Sequence, residues 1–150
     1  MKFEKFVKKA VPYCVTVMHD GQAWCKLGKI YARIPNYLGQ IGSIDKYDTI
    51  LAAVLDDGVT GEKAELSRAY LPSAESSGKD IMRVFSDGEV GFHIGNEIFS
   101  MIERYDDCYI SAVDTDEHSG NALLVGKPVS DPDNFEPDLI VTNIEEVKNA

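Results

Sequence analysis

Alternating apolar and polar positions, punctuated by Asp-Gly pairs, dominate the chain. In residues 13–33, YCVTVMHDGQAWCKLGKIYAR, two β-rich runs flank Asp20-Gly21. An Asp-Gly pair tolerates positive φ and suits the type I′ turn, whose twist matches that of two paired strands. A two-residue loop there pairs Met18 with Ala23, Val17 with Trp24 and Thr16 with Cys25. Residues 81–95, IMRVFSDGEVGFHIG, repeat the layout around Asp87-Gly88. The same rule pairs Phe85 with Val90, Arg83 with Phe92 and Ile81 with Ile94, and sets His93 opposite Met82.

Helical spacing occurs in three places. Phe3, Phe6, Val7 and Ala10 form one stripe over residues 2–10, with Lys2, Lys5, Lys8 and Lys9 on the other side and Pro12 as terminator. Ile98, Phe99, Met101, Ile102 and Tyr105 predict a helix over 96–106 capped by Asn96. Tyr37, Leu38, Ile41 and Ile44 keep the spacing more weakly, because Gly39 and Gly42 intervene. Strand-like runs fall at 49–58 (TILAAVLDDG), 64–71 (AELSRAYL), 108–117 (CYISAVDTDE), 122–127 (ALLVGK) and 139–144 (LIVTNI). Residues 128–138 read as an irregular acidic loop, and 145–150 as a fraying end.

These elements predict one α+β domain over 1–150, mainly antiparallel sheet with two or three short helices on one side. At an offset of 67, Val17, Asp20, Gly21 and Gly28 meet Val84, Asp87, Gly88 and Gly95. KYD at 46–48 and RYD at 104–106 follow the helical segments. Two ββαββ pseudo-repeats, 13–71 and 80–127, would explain this; so would two unrelated hairpins that share a favoured turn. A repeated unit of four strands and one helix resembles, in topology alone, one domain of a DNA sliding clamp in circularly varied order. No motif of that family occurs, and the segment 96–106 carries Glu97, Glu103 and Asp106 against Arg104 alone.

Charge changes the picture. The net charge is −10, yet residues 1–50 carry eight Lys or Arg against four acids, whereas residues 103–150 carry three against twelve. Such acidity argues against coating nucleic acid and against tight duplex DNA binding. It favours another protein with a basic surface as partner. Asp131, Asp133, Glu136 and Asp138 in the acidic loop, and the lysines Lys2, Lys5, Lys8 and Lys9, are the candidate partner contacts. No apolar run reaches the ~18 residues of a membrane span, and the charged start MKFEKFVKKA lacks a leader's apolar region, so a cytoplasmic protein is expected. Three cysteines, Cys14, Cys25 and Cys108, read as free thiols.

Motifs for chemistry are missing. GxSxG, GxxxxGK[ST], GxGxxG and HExxH do not occur, and neither SDPDNFEPD (130–138) nor DTDEHSG (114–120) meets the EF-hand pattern. The sequence assigns no catalytic, cofactor or metal-binding residue. Its functional reading is a non-enzymatic, acidic protein-interaction module. A clamp-like or other nucleic-acid accessory, and a small enzyme with a site assembled only in space, stay open as alternatives.

Overall fold

Apolar residues on both faces of the longest strands set the architecture. The computed structural model describes residues 3–10, 14–35 and 47–147. Its larger sheet has seven antiparallel strands in the spatial order β1 (Val15–His19), β2 (Gln22–Leu27), β3 (Ile30–Arg33), β10 (Leu139–Glu146), β9 (His118–Gly126), β8 (Asp107–Asp114) and β4 (Val59–Lys63). A second antiparallel sheet holds β5 (Glu65–Tyr70), β6 (Met82–Ser86) and β7 (Gly91–Ile94). The helices are short: α1 (Phe3–Ala10), α2 (Thr49–Ala52) and α3 (Asn96–Phe99). The α+β, mainly antiparallel reading therefore holds.

The helices are not all on one side. On β9, Leu123 and Val125 face a core shared with α1, Phe85, Phe92 and Ile94, whereas Ala122 and Leu124 face a core shared with Leu51 and Val54 of the α2 region. A sheet that is apolar on both faces needs cover on both. The small sheet and α1 cover one face, and α2 covers the other.

The first hairpin has the expected register, with Val17 opposite Trp24 and a two-residue loop in which Asp20 and Gly21 adopt φ of 47° and 79°. The second is displaced by two residues: Phe85 opposes Phe92, Arg83 opposes Ile94, and His93 opposes Val84. The cause is local. The Asp87 carboxylate accepts hydrogen bonds from the backbone N–H groups of Glu89 and Val90 and widens the loop to four residues. A shift of two keeps every side chain on its face.

Three expected elements differ. Residues 49–57 are helical, not extended: the Asp48 side chain accepts from the Leu51 N–H and starts α2, which runs on as a π-helical turn, Ala53–Asp57. The helix expected over 96–106 stops at Phe99. Its bonds tighten there to Met101 N–H→Ile98 and Ile102 N–H→Phe99, and the Asp106 carboxylate then takes the Glu103 N–H to close a turn. The N-cap is Gly95, while Asn96 accepts from Arg83. Glu145 and Glu146 continue β10 instead of fraying. The helical spacing at residues 37–44 lies outside the described residues.

The two hairpins lie in different sheets. In the second half β8 and β9 pair with each other, but in the first half β4 pairs with β8 and β5 with β6. This strand order does not display the repeat at 13–71 and 80–127.

Gly120 has a φ of 150°, and a Cβ on it would overlap the Asn143 carbonyl of β10; at Gly21 a Cβ would meet nothing. Gly21→Ala should therefore cost only the left-handed backbone penalty, about 1 kcal/mol. Gly120→Ala should cost a further 1–3 kcal/mol, roughly the scale of overpacking. Urea titration of both variants checks this; equal midpoints would refute the close approach.

Candidate functional site

Asp48 organises the region beneath α2. Its carboxylate is buried and accepts from Lys26 Nζ at 2.7 Å, Tyr31 Oη at 2.8 Å and the Leu51 N–H at 2.8 Å. Burial alone would raise its pKa, but these three hydrogen bonds and the Lys26 charge outweigh it and hold the carboxyl below the usual Asp value. Burial, and then the same Asp48, push the Tyr31 hydroxyl upward. One side chain thus ties β2 and β3 to the first turn of the helix.

With that end fixed, the π turn carries Asp56 and Asp57 to the surface, and Val54 sits beneath them in the core. Turns of this kind are rare and are often found at functional sites. Gly58 follows, packed so closely on β8 that a Cβ would overlap Ser111 Oγ and the Val54 carbonyl. Facing the turn is the β8–β9 loop. It is closed by Thr115 N–H→His118 O at 2.8 Å and by the His118 N–H on Thr115 Oγ1 at 3.0 Å. The buried His118 ring reaches back to Thr49 with 3.3 Å between Nε2 and Oγ1, and Asp116 and Glu117 project outward.

Between helix and loop lies an open groove of about 420 Å³. Asp56, Asp57, Asp116 and Glu117 line it, with the exposed Tyr47 at one side and no Lys or Arg among the described residues of the lining. A smaller cleft beside it adds Glu146. The acidity of the C-terminal third is thus divided. Asp114, Asp116 and Glu117 stand at one end of β9, and the loop 128–138 follows its other end, about 25–30 Å away at ordinary strand rise.

The residues singled out from sequence fare unevenly. Asp131 and Asp133 are exposed, and the Asp131 carboxylate caps the short turn Pro132–Asn134. Glu136 is exposed, 4.0 Å from Arg33. Asp138 is a correction: it is buried and bound to the Arg33 guanidinium, with its backbone joined to Val125 and Arg33, so it offers a partner nothing. An Asp at the first position before a central strand sits where the chain re-enters the core. Lys5, Lys8 and Lys9 are exposed along α1, while Lys2 lies outside the described residues. Asp56 and Asp57 were missed because residues 49–58 read as a strand. Asp48 three residues before Leu51, with Leu51 and Val54 three apart, was the available signal for a capped helix.

A second cavity, about 510 Å³, separates the two sheets and brings Lys63, Arg104 and Asp107 near Cys108. It is a poor nucleophilic site. Burial first, and then the charges of Asp106 and Asp107, push the Cys108 thiol up to about 12, away from the thiolate that reaction needs. None of the three cysteines is in a disulfide, and Cys25 and Cys108 are buried.

Compared with protein-family models, curated proteins and solved structures, the chain finds no match in any of the three.

Asp48→Ala should destabilise by about 2–4 kcal/mol, since it removes a helix cap and leaves Lys26 and Tyr31 without their acceptor. The Asp48 contribution is complete above the ordinary Asp pKa of about 3.9 and is lost as pH falls through its lower folded value. Wild type should therefore lose stability more steeply than Asp48→Ala below pH ~4. Denaturant midpoints as a function of pH measure both effects. A thiol titration adds an independent check: in native protein only Cys14 should react promptly, with Cys25 and Cys108 reacting on unfolding.

Proposed function

We propose that the protein is an acidic protein-interaction module whose groove between α2 and the β8–β9 loop takes a basic segment of a partner. The observation that carries this is the acidic lining: Asp56, Asp57, Asp116 and Glu117 converge, with no Lys or Arg among the described residues that line the groove. Converging like charges focus a field, raise the local concentration of an oppositely charged partner and speed its encounter. Tyr47 supplies a flat, exposed ring on which the apolar stem of a Lys or the plane of an Arg can lie. Asp131, Asp133 and Glu136 form a second acidic surface at the far end of β9, suited to steering.

The reading as a clamp-like accessory draws on Lys5, Lys8 and Lys9 along α1. Three phosphate contacts give weak association that salt removes, and the strand order lends the two-unit topology no support. The protein is therefore proposed not to hold duplex DNA tightly. No helix among the described residues is long and apolar enough to cross a membrane.

Titrating ¹⁵N-labelled protein with an Arg- and Lys-rich peptide tests the groove. Shifts should concentrate at Tyr47–Asp57 and Thr115–His118 and should shrink as salt rises. The combined substitution Asp56→Asn, Asp116→Asn, Glu117→Gln should slow association several-fold and leave the fold intact. Shifts confined to residues 131–136, or sub-micromolar binding of duplex DNA at physiological salt, would reject the proposal.

A further inference from the structure

Beside the groove, where the β1–β2 turn meets the π turn, three side chains of metal-ligating type converge. His19 Nε2 lies 3.0 Å from Asp56 Oδ1 and 3.4 Å from Asp20 Oδ2, and the three donor atoms fall within 4.8 Å of one another. The imidazole is only 10% exposed, so its direction is set by packing, while the carboxylates of Asp20 and Asp56 remain open at 88% and 52%. We propose that His19, Asp20 and Asp56 bind a divalent cation of the zinc class.

Three arguments lead there. The first is geometric. Ligand atoms about 2.0–2.2 Å from one ion stand roughly 2.9 Å apart at right angles and roughly 3.4 Å apart at tetrahedral angles. The two measured separations, 3.0 and 3.4 Å, fall in that span. The second is donor accounting. A single Nε2–H can serve one carboxylate well, whereas a dication between the three atoms engages both carboxylates and the imidazole lone pair together and neutralises the two negative charges. The third is donor type. One imidazole with two carboxylates suits zinc and its neighbours better than Ca²⁺ or Mg²⁺, which favour all-oxygen shells. Three protein ligands leave coordination positions open towards solvent.

The ligands come from separate elements, two from the hairpin tip and one from the π turn, so the ion would pin the tip of β1 to the end of the α2 segment. This inference does not rest on the groove's binding a basic partner, although Asp56 serves both. Untagged, chelator-treated protein should bind Co²⁺ with visible ligand-field absorption and Zn²⁺ with one-to-one stoichiometry by calorimetry. His19→Gln, Asp20→Asn and Asp56→Asn should each weaken binding roughly tenfold or more, as loss of coordination does. Asp20→Asn is the safest of the three, since Asn also accepts the positive φ of the turn. Asp116→Asn with Glu117→Gln should leave metal affinity within a factor of two while slowing basic-peptide association, which separates this site from the groove. Undetectable Zn²⁺ binding, affinity unchanged in all three ligand variants, or strong thiolate charge-transfer absorption from Cys14 or Cys25 would each overturn the proposal.

Discussion

Strands β9 and β10 are buried on both faces, and the rest of the architecture follows from covering them. Residues 122–126 and 139–142 are buried without a break, side chains pointing up and down alike. At about 25 cal/mol per Å² of apolar surface, leaving either face open would forfeit more than a domain's ordinary net stability. A second sheet closes one side and the α2 segment closes the other. The antiparallel pairing lets the centre of the sheet reach this depth without long crossovers, since β8, β9 and β10 follow one another in chain and in space.

Once α2 must lie on that face, its start and finish become the points where polar chemistry can collect. Asp48 satisfies the Leu51 N–H at the start and draws Lys26 and Tyr31 with it. At the finish the chain has to leave the core, and Asp56 and Asp57 stand where it does so. Negative charge near a helix C-terminus is electrostatically unfavourable. Two adjacent carboxylates there are thus not explained by helix stability. A basic partner, or a cation beside His19, would relieve the same repulsion.

Much of the scaffold was legible in sequence because its signals are local. Asp20-Gly21 needed nothing beyond its own turn to set the β1–β2 register. The alternation in CYISAVD and the run LIVTNI pointed to β8 and β10 directly. The failures share a cause in competition between signals. TILAAVL is apolar enough to pass for a strand, and a single carboxylate at Asp48 tips it into a helix through a bond that pattern reading weighs lightly. Asp87 acts likewise in the second hairpin, where its side chain, not the backbone twist, decides the loop length. The groove was illegible for a different reason: residues 56–57 and 116–117 are sixty positions apart and meet only through the packing of α2 on the sheet. Asp138 misled because composition marks a loop as acidic without saying which acid turns inward.

The π turn at Ala53–Asp57 also makes this corner sensitive to chain length. Such a turn is equivalent to one residue inserted into an α-helix, and one residue corresponds to about 100° of rotation about the helix axis. A deletion of one position here would restore regular helical bonding and swing Asp56 and Asp57 away from His19 and from the β8–β9 loop. It would also displace Ala53 and Val54, which share a buried cluster with Leu51, and Gly58, which packs closely on β8. The number of residues in this turn therefore sets the surface chemistry and the core packing together, so a change in its length alters both.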